Sequence, residues 1–508
     1  MWIALLVAGL VAFPAAPTPA QVRGELRVGV AALPTSLDPA TALEGPIPFL
    51  ARQVFDTLVQ FREGTSDVEP ALATHWTVSR DGLTWTFVLR SGVGFHDGTP
   101  LTAPIVATSF ERQMFPEHPQ HPGPNEGWPR LLRGVPGIVR QVQALDDKRV
   151  RIHLVQPYAP LLTVLAHPVF SVALAAVDET GATRQVGTGP YRIGELAPGR
   201  LVLEAHPGHW AGSPRVQRIV VVEVAGDEQA EPAFDAKSLD LWLPARPPRR
   251  KVGALSVPGW QIGLLAMQTE KPPFTAKKVR QAIAAALDPA LLRVAIEDSA
   301  VPLQSFLPPG VWGRREGPPI LGASPMDARR LLGEAGYPTG IAVRLVVGES
   351  SEALDYARLA DAIHVALARA GIAVSIRPEP PLVVSQITQN GDHELAVAEA
   401  RVEAGDPHFL LYPLSTSEGA VRGERASNLS FYRNPRLDDL LIRASQLAFR
   451  PERLRLYQRA QGILADELPW LPLFVRLHWV VARPAVKNLR LHPSGFHRLD
   501  RVELAEFP

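Results

Sequence analysis

Cysteine is absent from all 508 residues. That removes disulfides, thiolate metal sites, cysteine nucleophiles and a lipid-modified N-terminal cysteine together. An excess of charge of either sign is also missing: 52 basic and 51 acidic residues leave a formal net charge of +1, without charge blocks. Neutralising a polyanion needs a concentrated basic face, so no nucleic-acid partner is expected. The short basic run ARPPRRK at Ala245–Lys251 holds two prolines and reads as an exposed linker. Long apolar runs are lacking beyond the N-terminus: no later segment offers the roughly twenty uninterrupted apolar residues a spanning helix requires. G-x-S-x-G, H-E-x-x-H and G-x-x-x-x-G-K-[ST] are all missing, so nothing points to a hydrolase, a zinc peptidase or an NTPase, and no enzyme is expected.

What is present begins with an apolar stretch from Trp2 to Phe13, followed by small and Pro-rich residues ending Thr18-Pro19-Ala20. This pattern predicts a secretory signal over residues 1–20, cleaved after Ala20, although no Lys or Arg precedes the apolar run. The mature chain is then expected in the periplasm or another extracytoplasmic space, and not as a lipoprotein. Its length exceeds a single core, so two or three lobes are expected. The 50 prolines are spread between periodic segments, which describes a folded, loop-rich chain rather than a disordered one.

The stretch Glu69–Arg112 organises the reading. Asp81-Gly82 separates two apolar-alternating runs, with Leu83, Trp85, Phe87 and Leu89 on one face, which predicts a hairpin. His96-Asp97-Gly98 predicts a second turn, and Thr102 is placed to cap a helix from Ala103 to about Arg112. Further along, Glu25–Val30 predicts a strand, Phe49–Val59 a helix and Gly134–Leu154 a second hairpin. Val186–Gly212 contains a GTG at Gly187–Gly189, but Arg192 stands in place of a third glycine and a strand follows. A dinucleotide fingerprint is therefore rejected. In the second half, Val279, Ile283 and Leu287 stripe a helix that stops at Asp288, and Asp288 caps the next helix with Pro289 at its first position. A strand at Ile341–Val347, a helix ending at Gly371 and a strand at Ile372–Ile376 predict a parallel crossover, so this half is α/β. Helices are expected at Leu437–Ala448 and Pro451–Leu468, then a strand at Leu471–Ala482. The segment Val486–Leu504 is expected to return to a sheet of the first half. Crossings near Pro247 and Val481 would make a hinge.

Among fourteen histidines, His118 with His121 and His206 with His209 share a three-residue spacing. Interleaved Pro and Gly deny either pair a common helical face, so neither predicts a metal site. Asp438-Asp439 reads as the solvated face of a helix.

The motif string PALATHWTVSRDGLTWTFVLRSGVGFHDGTPLTA, VGTGPYRI, KPPFTAKKVRQAIAAALD, ARRLLGEAGY and SNLSFYRNPRLDDLL, followed by RLRLYQRAQGILADELPWLPLF, resembles in order the extracellular solute-binding proteins of family 5. These serve ATP-driven importers for peptides, nickel and related solutes. The resemblance spans nearly all of residues 25–505. It implies a two-lobed α/β fold of the type II periplasmic-binding-protein kind, with an extra subdomain inserted in the first lobe. The expected division is 21–250 plus 480–508 for the first lobe, with about 48–180 as the insertion, and 251–479 for the second. It also implies a monomer that holds an oligopeptide or other small polar solute in its cleft without a cofactor, and passes it to membrane permease and ATPase subunits. A nickel or metal-chelate binder on the same scaffold, or a sensory or interaction protein without a transport partner, are the alternatives.

Departures from the family pattern bear on the ligand. Pro104 and Ile105 stand where an acidic residue is usual, Gln268 stands where Asn is common, and Ala400 replaces an aromatic. In peptide binders an aspartate four residues before the Pro of ARVEAGDPHFLL (Ala400–Leu411) holds the peptide's amino terminus, and here that position is Glu403. A carboxylate facing an ammonium group is chemically apt, so Glu403 is an expected ligand contact. Asp406 of the same motif joins it. Glu44 and Gly45 belong to the Leu43–Pro46 loop that faces the cleft in relatives. Arg401 reads either as the complement of a ligand carboxylate or as an ordinary surface charge.

Overall fold

A computed structural model describes residues 24–43, 45–123, 126–135, 137–177, 183–351 and 353–505. The expected signal segment and Glu44 lie outside the described residues.

Among the described residues, one sheet of eleven strands runs through the molecule. At one end Tyr191–Ala197, Arg200–Ala205 and Arg218–Glu223 form an antiparallel meander, and the first strand, Glu25–Val30, lies parallel to Arg218–Glu223. At the other end Ile341–Gly348 and Ile372–Glu379 lie parallel, joined by the helix Tyr356–Arg369, as the strand-helix-strand order predicts. Between the ends stand two long antiparallel strands, Ala254–Met267 and Trp470–Ala482. Val481 is the meeting point: it pairs with Trp242 on one side and Ala254 on the other. Both chain crossings therefore pass the same rung of the sheet.

The hairpins near Asp81 and Asp146 form a separate antiparallel sheet in the order Ala73–Val78, Thr84–Leu89, Arg149–Leu154, Val139–Ala144. Trp85, Phe87, Val150 and Ile152 point to its buried face. The alternation seen in sequence is what makes that face continuous. The helix Ala103–Met114 packs on it. Thr102 is extended as an N-cap should be, yet its side chain caps nothing. Pro104 occupies the second helical position and has no N–H, so one of the two donors a capping hydroxyl normally reaches is missing.

Two further expectations change. The helix predicted over Phe49–Val59 covers Ile47–Val54, and Phe55 is already extended. Asp56, next in the chain, is drawn instead to Thr188 and Trp210. The C-terminal segment does not join the first-half sheet: Val486–Lys487 and Glu503–Leu504 pair with each other. Its apolar residues Val486, Leu499 and Val502 nevertheless fill the core around Leu26, Val28, Leu203 and Val221. Burial, rather than strand pairing, brings the chain back.

Gly187 and Gly189 show why GTG is there. A Cβ on Gly187 would lie 2.0 Å from the Val54 carbonyl oxygen, and one on Gly189 2.6 Å from the same atom. The chain passes against the end of the Ile47–Val54 helix, and only glycine permits that approach. The motif is packing, not phosphate binding. The basic run after Ala245 is likewise tied down: Arg246 lies 3.5 Å from Asp227, Arg250 2.5 Å from Asp235 and Lys251 2.6 Å from Asp298.

Candidate functional site: a cleft cavity around Arg401

The strand Leu395–Arg401 starts apolar and fully buried, at Leu395, Ala396 and Val397, and ends charged. It delivers Glu399 and Arg401 to the middle of the molecule, with Arg401 opposite Gln261 on the neighbouring strand. Glu399 is heavily engaged. Arg476 reaches it at 2.6 Å through Nη2, with Nε 3.2 Å and 3.3 Å from the two oxygens, Tyr356 donates at 2.5 Å, and Gln261 donates a further bond. Burial and the Glu399 charge together push the Tyr356 hydroxyl well above its ordinary range.

Arg401 has no such partner. Among the described residues no carboxylate or carbonyl oxygen bonds its guanidinium, which lines a cavity of about 440 Å³. It is lined by Gly45, Pro46, Phe49 and Pro244 from the first half of the chain and by Arg401, Arg476, His478 and Trp479 from later strands, together with Phe496 and His497. The wall holds neutral imidazoles. Burial, then the Arg401 charge, brings His478 down to about 4, and burial followed by His478 and His492 brings His497 to about 3. His497 Nδ1 accepts from the His492 backbone N–H at 2.9 Å, so the proton of the neutral ring sits on Nε2. Three arginines and no Asp or Glu line the cavity among the described residues, and Arg246 and Arg476 have carboxylate partners. The cavity is thus apolar in body and cationic at one point.

The structure brings Gly45 and Arg401 together in this cavity and places Glu403 and Asp406 elsewhere, while Glu44 lies outside the described residues. The Glu403 carboxylate sits 2.5 Å from Arg130 Nη2, on the short helix Gly127–Leu132 that follows the inserted sheet's first helix. Three residues on, Arg133 Nη2 lies 3.1 Å from His408 Nε2. The end of this helix therefore docks on the 403–408 segment by two arginines. Asp406 is fully buried: its Oδ1 accepts from the His408 N–H at 3.0 Å, from Arg453 Nη2 at 2.8 Å and from the Tyr457 hydroxyl at 3.2 Å. It does not line the cavity. Gln268 is equally internal, donating to the Gly391 carbonyl and accepting from the Glu270 N–H.

Sequence reasoning missed Arg476, His478, Phe49 and His497. A signal existed for two of them: Arg476 and His478 alternate in an otherwise apolar strand, and polar residues at that period face one side together. For Phe49 and His497 no local signal exists, because their proximity depends on the return of the C-terminus.

The histidine pairs serve turns. His118 Nδ1 and His121 Nδ1 accept from backbone N–H groups two residues on. His206 contacts the Gly189 carbonyl, and His209 Nε2 lies 3.4 Å from Asp56. Among the described residues no three His, Asp or Glu side chains converge as metal ligands, and no helix is long and apolar enough to cross a membrane.

Two halves joined by paired crossing strands, with a cavity walled from both, define a two-lobed solute-binding protein. The family model for bacterial extracellular solute-binding proteins, family 5 (middle region), matches residues 67–421, and the chain belongs to this family. It is 29% identical over 493 residues to heme-binding protein A of Haemophilus influenzae, covering 91% of this chain and 89% of that one. It is 28% identical over 510 residues to di/tripeptide-binding protein 2 of Pseudomonas aeruginosa, covering 94% of each. Among solved structures, HbpA2 from Haemophilus parasuis superposes with a TM-score of 0.86 at 25% identity, over 95% of this chain and 100% of that one. The DppA periplasmic binding protein of Helicobacter pylori, in complex with the peptide STSA, matches at 0.68 and 28% identity, over 95% and 98%. The fold is the two-lobed α/β periplasmic-binding type with a sheet inserted in its first lobe.

Proposed function

We propose that this protein is the exported capture component of an ABC importer, holding a peptide-like or other small polar solute in the cavity around Arg401. The observation that carries the reading is the cavity itself. Its walls come from the chain's first 50 residues and from strands more than 350 residues later, so closing or opening the lobes changes the site directly. The division proposed is 21–250 with 480–508 for one lobe, about 48–180 as its inserted part, and 251–479 for the other. The hinge lies where Trp242, Ala254 and Val481 share a rung. A solute that contacts both walls binds the closed form better, and that differential affinity drives closure. The closed form is what permease and ATPase subunits in the membrane would read. The apolar N-terminus supports export with cleavage after Ala20, and the lack of cysteine supports a protein that is not lipid-anchored. Several relatives named for di- and tripeptides span the same length, which supports a peptide-like solute; a relative named for heme spans it too, so metal chelates are screened beside peptides.

The test is a thermal-shift screen of the full-length mature chain against di- and tripeptides and metal chelates, with mass spectrometry of any solute released on denaturation. A ligand at 100 times its Kd adds about 2.7 kcal/mol to apparent stability. No shift and no released solute would overturn capture.

A further inference from the structure

Arg401 stands between two carboxylates in sequence, Glu399 and Glu403, and obtains neither. Glu399 is held by Arg476, Tyr356 and Gln261, and Glu403 by Arg130. The imidazoles that feel the Arg401 charge, buried His167 and half-buried His478, are neutral, so they supply no counter-charge. A part-buried guanidinium without an anion pays desolvation with no return, and a carboxylate arriving with the solute would end that cost through a charge-assisted, geometrically matched pair. An ammonium group finds the opposite: among the described residues lining the cavity there is no Asp or Glu to receive it, and Arg401 repels it.

We infer that the solute is recognised through a carboxylate seated against Arg401, with no carboxylate of the described lining residues anchoring its amino group, so that N-acylated peptides and amine-free carboxylates are ligands as good as free peptides. This rests on the capture reading above. Arg401 is on this view the specificity-determining residue, and Glu403 fastens the Gly127–Leu132 helix rather than the solute. The apolar rings of Phe49, Trp479 and Phe496 suit the uncharged body of such a molecule.

The experiment offers the full-length mature chain three tripeptide mixtures, one free, one N-acetylated and one C-terminally amidated, and quantifies retained species by mass spectrometry. Acetylated peptides should be retained within about threefold of the free ones. Amides should be retained at least about tenfold less, the lower bound for losing a charged hydrogen bond. Arg401→Met should remove the difference between acids and amides, with Arg401→Lys keeping part of it. Retention of amides with loss of acetylated peptides means an amine anchor and overturns this inference while leaving capture intact. Retention of no peptide in any form overturns peptide capture itself. The comparison of the three wild-type pools decides the matter even if a variant does not fold.

Discussion

Two arginines near the same segment meet opposite fates. Arg453 is buried, within 2.8 Å of Asp406 and 3.1 Å of the Tyr457 hydroxyl, and its guanidinium lies 4.9 Å from the Trp312 ring centre. Burial would lower its pKa, but the Asp406 charge, together with the Tyr457 hydroxyl, more than reverses that. Arg401, five residues before Asp406 in the chain, is only part-buried and meets no anion among the described residues. A cation enclosed by the fold needs a partner from the fold; a cation left open on a cavity can take one from solution. Charge balance therefore separates the groups that hold the protein together from the group proposed to meet a solute, although Asp406 and Arg401 sit in one motif.

The strongest way to break this comparison is at Asp406. Removing one partner of a buried pair leaves the other uncompensated, so Asp406→Ala should destabilise the protein by about 3–5 kcal/mol in urea unfolding. At temperatures where the variant is folded, the ratio of acidic to amidated peptides bound should not change. A shift in that ratio without loss of stability would place Asp406 in the solute site and erase the distinction.

Asp56 offers a second enclosed carboxylate, which is absent from the described lining of the Arg401 cavity. Burial alone would raise its pKa, but the His209 contact, the Arg498 charge and the Trp210 N–H outweigh it and hold the carboxyl well below the usual range. A depressed folded pKa contributes stability above the unfolded value of about 3.9, and that contribution is lost as pH falls toward the folded one. Asp56→Asn should cost about 1.5–3 kcal/mol at neutral pH. The gap to wild type should narrow as pH falls below about 4, where the carboxylate of the unfolded chain protonates first. A gap that does not narrow there would show that Asp56 is not held in its ionised form by these groups.

What was legible beforehand follows the same line between local and distant causes. The Asp81-Gly82 hairpin, the Asp288 cap, donating to which is the Ala290 N–H at 2.8 Å, and the crossover around Tyr356–Arg369 all rest on residues a few positions apart. Periodicity and turn chemistry suffice for such elements. The pairing of Val481 with Trp242 and Ala254, and the self-pairing of the C-terminus, rest on contacts hundreds of residues apart, which no local pattern encodes. In the candidate site, motif position pointed at Gly45 and Arg401, which the fold unites. The same motif gave no sign that Glu403 faces Arg130, 273 positions earlier. A charged side chain declares its chemistry in sequence and its partner only in space.

Glu403 gives a smaller test. Its bond to Arg130 joins two partly exposed side chains, with 17% and 41% of their surface open to solvent. Such pairs contribute about 0.2–1 kcal/mol. Glu403→Gln should therefore lower stability by no more than that and become indistinguishable from wild type in high salt, where exposed ion pairs are screened. Retention of acetylated peptides should be unchanged. A tenfold loss of free peptides alone would instead return Glu403 to the role of amine anchor.

The smallest expected effect is the most telling one. If Arg401 has no partner in the fold, its charge contributes nothing favourable to the empty protein, and its removal relieves a desolvation cost while keeping most of the side chain's apolar stem. Arg401→Met should then change the stability of the solute-free protein by no more than about 0.5 kcal/mol, in either direction, as for substitutions that break no named interaction. The contrast with Asp406→Ala sharpens when solute is added: wild type should gain thermal stability with an N-acetylated peptide and Arg401→Met should not, because only a group that the ligand completes makes stability depend on ligand. A loss of several kcal/mol in the empty Arg401→Met protein would mean that the fold already supplies its counter-ion, and the two arginines would then be of one kind.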